Sequence, residues 1–205
     1  MNEPFTSFTS GLIAMPAENV DTDQIVPARF LKVTDKAGLS EALFHDWRFG
    51  AGGRPVDPAF VIDRPEMAGR RILVAGANFG TGSSREHAAW ALVSWGIRAI
   101  LSPSFADIFR SNALKNGLLP IVVGPEVHER LLGLAETDAE VAVDLEAQLI
   151  HLPSDEDVPF EVDPFARAML LAGTDELGYL LAREPAIAAW EAGHPPRVDT
   201  RASPA

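Results

Sequence analysis

Ile72, Leu73, Val74 and Ala75 form an unbroken apolar run of the kind buried inside a sheet. A glycine-rich turn follows, carrying Gly76, Gly80 and Gly82. The pattern predicts a strand, a turn, and a helix that starts at Ser83. Ser83 is a favoured N-cap, and Glu86 three residues on would complete a capping box. The glycines would let the backbone turn sharply and come close to a ligand. Residues 98–102 read as the next strand. Strand, helix, strand at this spacing implies a right-handed parallel crossover.

The other segments fill in around that unit. Phe5, Phe8, Leu12, Ile13 and Met15 predict a strand with an adjoining turn. Residues 19–27 read as a polar turn in which Asp21 and Asp23 straddle a threonine. Residues 39–44 suggest a short helical turn, 45–58 a long loop, and 60–63 a strand. Residues 104–117 predict a helix with a Ser104 cap and a glycine stop. A strand is expected at 118–123, near a sheet edge because Pro120 cannot donate to a ladder. An amphipathic helix is expected at 126–135. Residues 140–145 and 148–152 alternate and suggest a hairpin that 160–162 would extend. From 163 onward the pattern turns helical. Phe165, Met169 and Leu170 form one apolar face, Leu177, Leu180 and Leu181 another, and 186–192 a last short helix. The end of the chain from His194 reads as frayed. The whole reads as an α/β fold in one domain, 1–205, with a C-terminal helical extension at about 163–195.

Composition narrows the function classes. With 205 residues and 47% hydrophobic content, the chain can bury a sizeable core. A formal net charge of −12 disfavours a nucleic-acid partner. No cysteine is present, so the chain offers neither a disulfide framework nor thiolate ligands for a metal cluster. The five histidines are scattered without a His-x-x-x-His pair, and no metal site is expected. The N-terminal residues lack the pattern of a signal peptide, and no apolar run approaches a membrane span. A cytoplasmic protein is the expectation.

The candidate chemistry lies in the glycine turn. A helix starting at Ser83 would aim unpaired N–H groups and a positive dipole end at the turn, and Arg85 would add a planar cationic fork suited to carboxylate. The known glycine-loop signatures do not fit. No Lys-Ser/Thr follows the glycines, the third glycine of a dinucleotide fingerprint is missing, and Gly-x-Ser-x-Gly is absent. A plain capped helix with a solvated Arg85 is the competing reading. From spacing alone Asp21 and Asp23 read as ordinary turn chemistry, and Arg29 and Lys32 taken alone read as surface charges lying over apolar neighbours.

Three stretches together exceed coincidence. Residues 19–27 (NVDTDQIVP), 80–88 (GTGSSREHA), and 104–120, which opens SFADIF and closes NALKNGLLP, occur in this order. Together they resemble the small subunits of 3-isopropylmalate dehydratase, related to the swivelling domain of aconitases. The resemblance runs over nearly the whole chain, and residues 45–48 look like the longer bacterial form. It implies a swivelling β/β/α fold. It implies a hydro-lyase that interconverts 2-isopropylmalate and 3-isopropylmalate through isopropylmaleate, in leucine biosynthesis. It also implies a heterodimer in which a separate large subunit carries a [4Fe–4S] cluster and this chain binds no cofactor.

The resemblance assigns roles residue by residue. Ser83 matches the serine that serves as catalytic base, and Arg85 would bind a substrate carboxylate and steady the carbanion-like intermediate. Ser84 joins the substrate-binding group. Asp23 matches an acidic residue of the family's site and would orient polar neighbours. Phe30, Leu31, Lys32 and Val33 fall where the family reads the substrate's variable side group. Lys32 or Arg29 takes the place of a carboxylate-binding arginine. A homoaconitase-type or citraconate/methylmalate-type dehydratase would differ only in that segment, and a non-catalytic anion-binding module would use the same turn without chemistry.

Overall fold

The computed structural model describes residues 3–32, 38–50, 52–56, 58–153 and 155–194. Val33 and the tail 195–205 lie outside the described residues. The chain order is β1 (Phe8–Met15), α1 (Thr22–Ile25), α2 (Leu39–Ala42), α3 (His45–Arg48), β2 (Ile72–Ala75), α4 (His87–Trp95), β3 (Ala99–Ser102), α5 (Asp107–Lys115), β4 (Leu119–Val122), α6 (Pro125–Ala135), β5 (Glu140–Asp144), β6 (Leu149–Leu152), β7 (Glu156–Pro159), α7 (Pro164–Ala172), α8 (Glu176–Leu181) and α9 (Glu184–Gly193). Short 3₁₀ turns cover Ala28–Phe30, Val61–Asp63 and Pro65–Met67.

The strands form one seven-stranded sheet in the order β4-β3-β2-β1-β5-β6-β7. β4, β3, β2 and β1 run parallel; β5, β6 and β7 continue the sheet antiparallel. β1 serves both halves. Leu12–Met15 pairs with β2, while Phe8–Gly11 pairs with β5. β2 and β3 are buried on both faces, as continuous apolar runs demand, whereas β5 and β6 alternate. Pro120 sits in the edge strand β4, where no ladder donor is lost to a further neighbour.

Period-two alternation splits the interior into two cores. Ile13, Met15, Leu73, Ala75 and Ile100 point to a core shared with α2, α4 and α5. Leu12, Ile72, Val74, Ala99 and Leu101 point the other way, to a core shared with α6, α7 and the antiparallel strands. The α/β expectation therefore holds, as do the strands at 72–75 and within 98–102 and 118–123, the α6 helix and the β5–β6 hairpin.

Several local expectations fail. Residues 45–58 are not a plain loop, because they open with α3. Residues 60–63 form a 3₁₀ turn instead of a strand. Its last residue, Asp63, faces Arg48, whose Nε and Nη2 donate to the carboxylate at 2.8 and 2.7 Å. That ion pair draws the segment against α3, beside the aromatic cluster of Phe44, Trp47 and Phe60. The strand added to the hairpin is Glu156–Pro159, earlier than 160–162. Of the first C-terminal apolar face Met169 and Leu170 are buried and Phe165 is 42% exposed, and Leu177, Leu180 and Leu181 of the second are exposed.

Candidate active site

The loops at the carboxyl ends of β1, β2 and β3 converge. Asn19 N–H donates to the Ala77 carbonyl at 2.8 Å, and Gly80 N–H to the Val20 carbonyl at 2.8 Å. Asp21 bridges to Thr81 in parallel fashion, and Phe79 to Phe105. Ser104 does not cap α5, which starts at Asp107 with Ala106 before it. Its hydroxyl instead accepts from Asn78 N–H at 2.8 Å, so it fastens the glycine turn to the loop after β3.

The glycines let chain pack closely against chain. A Cβ on Gly76 would collide with the Ala17 carbonyl oxygen. Gly80 adopts φ +80 with Phe109 where a side chain would go, and Gly82 adopts φ +97 with the Asp21 carboxylate in the same position.

The helix expected from Ser83 starts four residues later, at His87. Ser83 is not its N-cap, and Glu86 completes no capping box there. The physical reason is competition for backbone groups. Ser83 N–H donates to the Thr22 hydroxyl at 3.0 Å, and the Ser84 carbonyl accepts from Asn112 Nδ2 at 2.9 Å. Residues 83–86 are thereby stretched between α1 and α5. Glu86 is held by Asn116 Nδ2 at 3.2 Å, and Trp90 Nε1 donates to Asn116 Oδ1 at 2.7 Å. The capping box lies in the polar turn instead. The Asp21 carboxylate accepts from Asp23 N–H, and Gln24 Oε1 accepts from Asp21 N–H at 2.7 Å. Asp21 is thus occupied by turn chemistry, as one of its two readings expects.

Ser83 is partly buried, Ser84 is exposed, and the Arg85 side chain is 33% exposed. Arg85 Nη1 donates to the Asp23 carboxylate across the gap between the loops. Ser83, Ser84, Arg85 and Asp23 are therefore brought together, with Thr22 beneath them. Four cavities of about 340–490 Å³ lie elsewhere, and none is lined by any of these residues.

The 29–32 segment sits nearby in sequence but is tied elsewhere. Phe30 and Leu31 pack against the α2–α4 core, and Lys32 is exposed. Arg29 turns to α3, donating through Nη1 to Asp46 Oδ2 at 3.0 Å and through Nη2 to Asp46 Oδ1 and to His45 Nδ1, the latter at 2.9 Å. That guanidinium holds the Asp46 carboxyl below its ordinary range. The residues that sequence reasoning misses are Thr22, Asn112 and Asn116. Asn112 and Asn116 belong to the third diagnostic stretch, and their role in bracing the 83–86 loop needs coordinates to see.

Metal ligation finds no support in these residues. The chain has no cysteine, and among the described residues no group of three or more His, Asp or Glu converges on a point. A thiolate-bound cluster does not fit this chain.

Comparison with known proteins gives a consistent picture. The model of the aconitase C-terminal domain matches residues 3–126, and a model described as LeuD_N matches residues 129–164. The chain is 54% identical over 201 residues to the 3-isopropylmalate dehydratase small subunit of Roseiflexus castenholzii, covering 97% of this chain and 98% of that one. It is 58% identical over 191 residues to the protein of the same name from Anaeromyxobacter dehalogenans strain 2CP-C, covering 93% and 98%. Among solved structures, the 3-isopropylmalate dehydratase (LeuD) of Methanocaldococcus jannaschii superposes with a TM-score of 0.66 at 28% identity, over 90% of this chain and 99% of that one.

Proposed function

The chain belongs to the family of 3-isopropylmalate dehydratase small subunits, with an aconitase C-terminal fold, and from that premise we propose how it works as half of a hydro-lyase. The reaction interconverts 2-isopropylmalate and 3-isopropylmalate by loss and re-addition of water in leucine biosynthesis. The protein acts in the cytoplasm as one domain, with α7–α9 as its C-terminal extension, and docks to a large subunit. The [4Fe–4S] cluster expected of such enzymes belongs to that subunit, because a chain without cysteine has no thiolates to hold it.

This chain's share is the carbon-acid half of the reaction. Ser83 Oγ removes the proton from the carbon next to a carboxylate. The hydroxyl of the neighbouring carbon departs with its electron pair as hydroxide, for which the cluster expected on the large subunit would supply the Lewis acid, and isopropylmaleate is left. Re-addition of water with the two positions exchanged, proton and hydroxyl each going to the other carbon, completes the isomerisation. The base is a serine alkoxide, so cationic support matters. With α4 beginning only at His87, a helix dipole reaches Ser83 weakly, since such fields fade within a turn. Arg85 is then the main support. Its present partner, Asp23, is itself a carboxylate, so binding exchanges one carboxylate for another with no guanidinium left bare. Ser84 adds a hydroxyl contact to the same substrate group. Phe30, Leu31, Lys32 and Val33 read the substrate's side group.

The observation that carries this reading is the doubly braced loop of Ser83, Ser84 and Arg85, whose guanidinium donates to Asp23. A large subunit docked over it would exclude water. The test is reconstitution of Ser83→Ala with the cognate large subunit. Turnover should fall by about 10²–10⁴-fold, the usual worth of a general base, with assembly unchanged by gel filtration. Wild-type turnover removes Ser83 from the mechanism.

A further inference from the structure

Arg85 and Arg29 are both paired with carboxylates, and the pairings differ in kind. Arg85 spends one nitrogen, Nη1, on Asp23. Arg29 spends both terminal nitrogens on the two oxygens of Asp46, in a two-pronged contact. Its Nη2 reaches a third acceptor as well, the His45 ring nitrogen at 2.9 Å. An arginine N–H can only donate, so Nδ1 of His45 accepts there. The guanidinium also lies over the Phe30 ring, 4.8 Å from its centre. The Phe30 ring packs on His45 at 4.7 Å, and His45 on Phe49 at 4.8 Å. Arg29, Phe30, His45 and Asp46 thus form one unit. It joins the 28–32 segment to α3.

We propose that His45 and Asp46 hold Arg29 as a strut for the substrate-reading segment, so that Arg29 positions Phe30, Leu31 and Lys32 and does not itself bind the substrate carboxylate. This rests on the reading of the 28–32 segment given above, and it narrows that reading. The choice between Lys32 and Arg29 resolves to Lys32, which is exposed in the same turn. A fork whose two terminal nitrogens are already matched to a carboxylate, with a ring nitrogen as third acceptor, would give up three contacts to take up a substrate. Arg85 would give up one. Asp46 and His45 are positioning residues here, and so is Arg29.

The pair is exposed on both sides, at 52% and 54%, so its worth lies in placement more than in stability. Displacing a substrate-reading group by about 1 Å can cost up to about a hundredfold in rate. The experiment uses the reconstituted two-subunit enzyme with 2-isopropylmalate and with the smaller 2-methylmalate as substrates. Asp46→Ala should raise KM for isopropylmalate about tenfold, leave kcat within about twofold, and reduce the preference for isopropylmalate over methylmalate. Asp46→Asn, which keeps the shape, should lie between the two. The charge exchange Arg29→Asp with Asp46→Arg should recover much of what either single change loses, because a strut works in either direction. A direct contact between Arg29 and the substrate could not be restored that way, since the carboxylate introduced by Arg29→Asp would repel the substrate. An unchanged KM in both Asp46 variants overturns the strut, as does an exchanged pair no better than Arg29→Asp alone. A loss of activity in Ser83→Ala alongside those results would show that the strut fails while the assigned chemistry stands.

Discussion

The sheet has two halves built on different rules, and the site hangs from only one of them. In the parallel half, β1, β2 and β3 all end on the same edge. The turn bearing Asp23, the loop bearing Ser83, Ser84 and Arg85, and the helix bearing Asn112 and ending at Asn116 leave from those three ends in turn. Parallel order forces this convergence, and ligands of open α/β sheets bind outside the carboxyl ends of the strands for the same reason. In the antiparallel half, successive strand ends alternate between edges. β5, β6 and β7 contribute Val141, Val143, Ile150 and Val158 to the second core, and no residue of the candidate site. One half gathers chemistry, and the other supplies mass behind it.

The sharpest way to break this comparison is a core lesion in the antiparallel half. Ile150 is fully buried in β6. Ile150→Ala should lower the unfolding free energy by about 2–5 kcal/mol, from lost transfer energy and the cavity left behind. Urea titration of the chain measures that loss. The kcat/KM of the assembled enzyme, per folded molecule, should stay at the wild-type level. A tenfold fall in kcat/KM would mean that the two halves are not separable.

The next lesion reverses the pattern. Asn116 is buried beneath the site loop, bonded to Trp90, Glu86 and the Asn112 carbonyl. In Asn116→Ala, Trp90 Nε1–H loses this acceptor and Glu86 loses this donor. The stability cost should be about 1–3 kcal/mol, less than for Ile150→Ala. Activity should suffer more, with kcat/KM of the reconstituted enzyme falling at least about tenfold as the 84–86 segment loosens. Steady-state kinetics paired with thermal melting separate the two effects. A variant that melts early yet turns over normally would deny Asn116 its bracing role.

The same division explains what could be read from the amino acids. β2 and β3 announce themselves because strands buried on both faces must be apolar throughout, and β5 and β6 because one-sided burial forces alternation. Pro120 marks its own edge position. The site loop is misleading because Ser83 and Glu86 satisfy a local helix-start rule that tertiary contacts override. Thr22 is 61 residues from Ser83, and Asn112 is 28 from Ser84, and no local pattern states which backbone group each will take. Gly76, Gly80 and Gly82 stand out in the sequence as special, but the bodies they admit are Ala17, Phe109 and Asp21. Asp46 gives no signal because its partner, Arg29, lies 17 residues away in what reads as another turn. Local periodicity reports burial well. It reports nothing about which polar groups meet.

The mildest test sits at the far end of the antiparallel half. Arg130 on α6 makes a two-pronged contact with Glu156 on β7, both bonds 2.8 Å long, and both side chains are nearly half exposed. The hydrogen bonds from Arg130 hold the Glu156 carboxyl below its ordinary range. A carboxyl lowered on folding adds stability above its unfolded value, and that share is lost as pH falls through the folded value. Solvent screens an exposed pair, so the share is small. Glu156→Gln should therefore shift the melting curve only slightly at pH 7, and the shift should shrink in high salt. Below the usual carboxylate range, variant and wild-type curves should merge, because protonation removes from wild-type Glu156 the charge that the glutamine never carries. The reconstituted enzyme should keep its kcat/KM throughout. A pronounced loss of turnover at neutral pH would mean that β7 communicates with Ser83 across the whole sheet, and the separation of the two halves would have to be given up.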